Sequence, residues 1–240
     1  MFDCHEKQSS PTQAKSERVL AGHCRATGDM IAAVRSTAAA FFTGARGSHD
    51  WDHTHRVYRL CDRIASAEQA DLDVVRIAAL LHDIGRARQD TSSGSVCHAQ
   101  VGARLAGPIV EELPLTERQK LNILHCISTH RFRGRQAPKT LEARVLFDAD
   151  KLDAIGAIGI ARAFAYGGHE GQRLWAEAPP DYVESLSTRH EHTPVHEYQY
   201  KLRKIKERLH TSSARQVAEE RHTFMVAYFA RLDQEVQGLA

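Results

Sequence analysis

No stretch of this 240-residue chain is apolar for long enough to suggest a membrane span, because charged residues interrupt every hydrophobic run well before the roughly 20 residues a span requires. Cysteine is sparse. The five present, Cys4, Cys24, Cys61, Cys97 and Cys126, are odd in number, scattered and without a C-x-x-C pair, which argues against a disulfide framework and against a zinc ribbon. The first residues have no apolar core and carry Asp3, so no secretory signal is expected, and a reducing cytoplasm is the expected location. Excess charge is also missing. A formal charge of +2 and a pI of 8.3 fall short of the pI above about 9, with clustering, that marks a nucleic-acid-binding domain. There is no convincing apolar–polar alternation, internal repeat or linker, which excludes a β-rich or repeat architecture.

What is present is 42% hydrophobic and 26% charged, the composition of an ordinary globular protein with ample core material. Residues 1–16 lack periodicity and read as a disordered tail, and 17–240 read as one all-α domain. Met30, Ile31, Val34, Ala38, Phe41 and Phe42 give a first covering helix. Asp50 is positioned to cap a second helix that breaks near Ala70, and Asp71 to cap a third. In the third, Val74, Ile77, Ala78 and Leu81 form a stripe, while Val75, Ala79 and Leu80 make it apolar almost all round, as suits a central helix. Gly85 suits a helix C-terminus, followed by a polar, flexible segment over 86–95. A fourth helix is expected from Val96, and the capping box Thr116…Gln119 opens a fifth that ends at His130. Thr140 can cap a sixth helix, expected to continue into the small residues of 154–161. A long insert covers 166–197, with Pro194 as a breaker, and two closing helices occupy 197–237.

Fifteen histidines are many for this length, so position must decide which matter. The organising stretch is Leu80-Leu81-His82-Asp83-Ile84-Gly85, where the central helix stops on an imidazole beside a carboxylate. His53 shares a stripe with Val57, Leu60, Cys61 and Ile64, and Asp150 follows Leu146 by four residues on a buried side. Three apolar helices therefore bring His53, His82, Asp83 and Asp150 into the interior, where unpaired polar groups are costly. A divalent metal is the most economical partner.

The order H…HD…D, set in His53-Thr54-His55-Arg56-Val57, Leu80-Leu81-His82-Asp83-Ile84-Gly85 and Asp148-Ala149-Asp150-Lys151-Leu152, resembles the HD superfamily of metal-dependent phosphohydrolases. Within it the chain looks like bacterial single-domain nucleotide pyrophosphohydrolases. Further matches are the run from His49 to His53, His125 to His130, the run from Asp148 to Gly159, Lys201 to Lys204, and Thr211. The resemblance implies a helical bundle of the HD-domain type with core motifs over 49–160. It implies metal ligands His53, His82, Asp83 and Asp150, not Asp148. One divalent ion is the expectation, with Mn favoured by the family and Mg, Fe, Co, Ni or Zn compatible with the donors. The implied reaction is hydrolysis of a small phosphorylated molecule, above all a (deoxy)nucleoside triphosphate split to monophosphate and pyrophosphate. An HD-type phosphomonoesterase or phosphodiesterase, a di-iron oxygenase and a non-catalytic nucleotide sensor are the alternative classes. A small-molecule nucleotide is the expected partner, nucleic acid and membrane are not, and a homo-oligomer is compatible with the sequence.

Around the ligands, Asp83 is expected to be catalytic as well as metal-bound. Lys151 either holds a substrate phosphate or neutralises local acidity, and related enzymes favour phosphate contact. Arg86 and Arg88, beside the site, are expected to bind substrate phosphates, as is Lys201; the Arg131, Arg133, Arg135 loop reads equally as surface. His125 and His130 are candidates for acid–base or phosphate contact, with core or surface roles as the alternative. His98 and His130 also resemble positions that hold a second metal in some HD branches. Asp148 and Asp153 flank Asp150, and each reads either as a supporting partner of the site or as merely solvated, with a supporting role slightly favoured for Asp148.

Overall fold

The computed structural model describes residues 28–43, 50–91, 96–131, 136–179, 182 and 191–240. Among them every regular element is helical: α1 (residues 28–40), α2 (Trp51–Glu68), α3 (Leu72–Leu81), α4 (Arg86–Thr91), α5 (His98–Glu111), α6 (Glu117–Thr129), α7 (Leu141–Leu152), α8 (Gly156–His169), α9 (Pro194–Tyr200), a 3₁₀ helix (Leu202–Arg208) and α10 (Ser212–Val236). Among the described residues, no helix is long and apolar enough to cross a membrane. The expected tail of residues 1–16, His49, Arg133 and Arg135 lie outside the described residues.

The helices begin where their side chains satisfy the first free amides. Asp50 accepts from the His53 amide, Asp71 from Asp73 and Val74, and Thr140 from Ala143, while Thr116 and Gln119 form the reciprocal capping box. α3 packs against α2, α6 and α7, and Val74, Val75, Ile77, Ala78, Ala79, Leu80 and Leu81 are all buried. A helix apolar on every side has no solvent face to offer, so it lies at the centre and its end is carried into the interior.

The structure departs from the sequence reading at four junctions, each with a local cause. Gly85 does not adopt a left-handed helix cap. It is there because a Cβ would sit 2.5 Å from the His98 carbonyl oxygen and 2.6 Å from the Gly102 amide, so only glycine lets the turn after α3 lie against α5. The segment after it is not wholly irregular, since α4 forms at once. α7 does not run on into the small residues: Asp153 turns inward at its end, and Gly156, at φ +76°, starts a new helix from a conformation that disfavours a side chain. Pro194 starts α9 rather than breaking a helix, because the first turn has no use for its missing amide. The first closing helix divides into α9 and the 3₁₀ segment, and the second begins at Ser212, well before its apolar stripe becomes evident.

Candidate metal centre

Several helix ends meet at one carboxylate. His53 lies in the first turn of α2, His82 and Asp83 directly follow α3, His98 opens α5, His130 closes α6, and Asp150 is in the last turn of α7. His53, His82, Asp83, His98 and His130 are all buried.

Each of the four imidazoles has its Nδ1 engaged on the outer side. His82 Nδ1 meets the Ala79 carbonyl at 2.7 Å and His130 Nδ1 the Ile127 carbonyl at 2.6 Å. A carbonyl oxygen can only accept, so both rings carry their hydrogen on Nδ1 and aim an Nε2 lone pair inward. Gln89 Oε1, from α4, holds His98 Nδ1 at 2.7 Å, and Asp153 Oδ2 holds His53 Nδ1 at 2.7 Å. On the inner side, His53 and His82 Nε2 each lie 3.7 Å from Asp83 Oδ2 and 3.4 Å from one another. His98 and His130 Nε2 lie 3.4 and 3.6 Å from Asp83 Oδ1 and 3.0 Å from one another. Lone pairs facing each other at such distances repel unless a proton or cation lies between them.

The donors of His53, His82 and Asp83 fall within 4.8 Å of one another, and so do those of Asp83, His98 and His130, making Asp83 common to both sets. Asp150 flanks the first, with Oδ1 3.4 Å from His53 Nε2 and Oδ2 2.5 Å from Lys151 Nζ. Imidazole and carboxylate donors converging without bulk water fit a divalent cation of the Mn, Fe, Co, Ni or Zn type.

Electrostatics prepare the site. Burial lowers His82 to about 4 and His98 to about 3, so both are neutral and able to donate near neutral pH. For His53, burial opposes charge, but hydrogen bonds to Asp150 and Asp153, with the negative charge of Asp150 and Asp83, outweigh it and raise the ring to about 9. Burial alone would raise Asp150, yet Lys151 and His53 hold it well below the usual carboxylate range. The cluster thus holds anionic charge that a cation can complement.

The remaining candidates are placed unevenly. Arg86 begins α4 beside Asp83, half-buried, and lies close enough to His98 to disfavour its charge, while Arg88 is exposed two positions further along the helix. Lys151 sits over the Phe147 ring at 5.3 Å and beside Asp150. His130 joins the second donor set. His125 stands outside both sets, its Nε2 accepting the Lys139 amide at 3.0 Å and tying down the approach to α7. Lys201 is paired with Glu197 on α9. Asp148 departs from expectation: it accepts from the His210 amide at 2.9 Å, the Thr211 amide at 2.7 Å and the Thr211 hydroxyl at 2.8 Å, and so fastens the start of α10. Asp153 is the carboxylate behind a proposed ligand instead. The sequence leaves Asp153 open to a supporting role because it flanks Asp150, but neither it nor Gln89 carries a local signal for its partner, since His53 and His98 lie on other helices.

Comparison with known proteins gives the family. The HD domain family matches residues 50–155, which span His53, His82, Asp83 and Asp150. The Bacillus subtilis (strain 168) protein YpgQ is 32% identical over 214 residues, covering 86% of this chain and 93% of YpgQ. The crystal structure of YpgQ in complex with ADP superposes with a TM-score of 0.69 at 28% identity, covering 89% of this chain and 98% of that one. A Bacillus thuringiensis HD-superfamily hydrolase gives a TM-score of 0.67 at 28% identity, covering 88% and 98% of the respective chains. With a relative matched over nearly its whole length and the family motifs at the convergent helix ends, the chain belongs to the HD-domain family.

Proposed function

We propose that this chain is a metal-dependent phosphohydrolase that cleaves a (deoxy)nucleoside triphosphate to the monophosphate and pyrophosphate. The observation that carries the reading is the buried His53, His82, Asp83 set flanked by Asp150, with the Lys151 ammonium next to it and Arg86 opening the adjoining helix. That YpgQ was crystallised with ADP supports a nucleotide as the substrate class. A divalent ion bound to these donors, Mn being favoured by family resemblance, would polarise the phosphoryl group and lower the pKa of a coordinated water.

The chain's own residues then divide the work. His53 and His82 present neutral or displaceable imidazole donors, while Asp83 and Asp150 supply the anionic charge. Lys151 offsets negative charge growing on the attacked phosphate. Arg86 and Arg88 follow the ligand turn and can reach further along a polyphosphate, where a guanidinium binds oxygens in pairs. Attack at the α-phosphorus makes pyrophosphate the leaving group. Hydrolysis in ¹⁸O-labelled water with Mn tests this. The label is expected in the nucleoside monophosphate with unlabelled pyrophosphate beside it, whereas labelled orthophosphate released from a monophosphate in preference would identify a phosphomonoesterase.

The Asp83, His98, His130 set favours a second reading, in which these residues would hold a second ion and Asp83 would serve both sets. Elemental analysis separates the readings. A content of about one ion per chain, unchanged in His98→Ala, supports the single site; a content of about two that falls to about one in that variant supports the second ion and brings O₂ consumption into the assay.

A further inference from the structure

Behind His53 lies a buried charge cluster drawn from three helices. Asp153, at the end of α7 and 1% exposed, accepts from His53 Nδ1 at 2.7 Å through Oδ2. Arg56 Nε, one turn along α2 from His53, donates to Asp153 Oδ1 at 2.7 Å, and its Nη2 to Oδ2 at 3.1 Å. Arg162 Nη1, from α8, donates to the same Oδ2 at 2.8 Å and to the Asp153 carbonyl at 3.1 Å. Two guanidiniums on a buried carboxylate keep it ionised, and an ionised carboxylate can only accept. His53 must therefore place a hydrogen on Nδ1, leaving Nε2, which faces His82, Asp83 and Asp150, as the inner atom.

We propose that Asp153, held by Arg56 and Arg162, is a positioning residue for the metal centre that sets the tautomer and angle of the His53 ring and raises its donor strength. This rests on the metal-binding reading above. A buried carboxylate beside a ligand ring shapes both orientation and basicity, and removing such a partner weakens metal binding by about 10–100-fold. Arg162 gives the role a longer reach. It comes from the small-residue helix α8, so the seating of α8 on α9 and α10 is coupled to the angle of a proposed ligand on α2. A merely structural charge cluster would lower stability on disruption and leave affinity in the folded protein untouched.

The test uses the full chain and Mn alone as probe, with affinity measured by calorimetry or electron paramagnetic resonance well below the melting temperature. Asp153→Asn keeps the shape and one acceptor but loses the charge, and it is expected to bind Mn at least about tenfold more weakly than wild type while remaining folded by circular dichroism. Asp153→Ala, lacking both, is expected to be weaker still. Arg162→Gln leaves the carboxylate and Arg56 in place, giving a smaller loss, and it serves if the aspartate variants fail to fold. In the metal-free protein, at a pH above the His53 value of about 9 where the ring is neutral, ¹⁵N shifts of His53 should report hydrogen on Nδ1 in wild type and a mixture of tautomers in Asp153→Ala. Wild-type affinity in folded Asp153→Asn and Arg162→Gln would overturn the positioning role while leaving the metal reading intact; a wild-type chain that binds no Mn would overturn both.

Discussion

At the scale of single residues, the centre depends on which atoms each side chain leaves facing inward. Asp83 divides its two oxygens between the histidine pairs, so Asp83→Ala removes a donor from both sets and leaves Asp150, beside His53, as the carboxylate of the first set. Activity should fall to background while the helical circular dichroism survives, and an active Asp83→Ala protein would refute the site. Lys151 adjoins Asp150 whereas Arg86 and Arg88 lie on α4, so their removal should affect different constants. Lys151→Ala is expected to lower kcat about a hundredfold with a modest change in KM, because the ammonium offsets charge that grows in the transition state. Arg86→Ala and Arg88→Ala should mainly raise KM for triphosphates and matter little for monophosphates. Steady-state kinetics on both substrate types decides. The inward placing of the proposed ligands was legible at this scale because a histidine or aspartate on an apolar stripe stands out. Asp153 was legible only as one of two aspartates flanking Asp150, since its contacts come from His53, Arg56 and Arg162 on two other helices.

At the scale of elements, junctions carry the predictions. Gly85→Ala would drive a methyl group into the backbone of His98 and Gly102, neither of which can yield as a flexible side chain would. The variant should lose about 1–3 kcal/mol of stability in denaturant titration and, by moving α5, displace His98 from Asp83. On α9, burial would raise Glu197, but its hydrogen bond to His192 and the Lys201 charge lower it from 4.5 to about 2. A carboxyl depressed in the folded state stabilises above its unfolded pKa, and that contribution is lost as pH falls from 4.5 towards 2. Glu197→Gln should therefore cost stability at pH 7, at most about 3 kcal/mol, and flatten the loss of stability between about pH 5 and pH 3. Urea titrations of both proteins across that range test the sign. Helix starts were legible in the sequence because a cap is a local bargain among four residues. Helix ends and breaks were not: Gly85 answers to α5, and the stop after Leu152 answers to Arg56 and Arg162.

At the scale of the whole molecule, the helices enclose the buried His/Asp centre, and whatever binds there stabilises the folded chain alone. Chelator dialysis should abolish hydrolysis, and restoring Mn at about a hundred times its dissociation constant should add about 2.7 kcal/mol, or roughly 5–10 °C in melting temperature for a chain of this size. A melting curve indifferent to metal in the wild-type chain would count against the centre. By itself the sequence determined the all-helical class, the central place of α3, the capped starts, and the delivery of His53, His82, Asp83 and Asp150 to the interior. Those follow from periodicity, which one helix records along its own length. Only the tertiary structure decided that His98 and His130 share Asp83 with the first pair, that Asp148 fastens α10, that Asp153 stands behind His53, and that His125 and Lys201 spend their contacts elsewhere. These depend on the angles at which separate helices cross, and contacts between residues tens of positions apart leave no period to read.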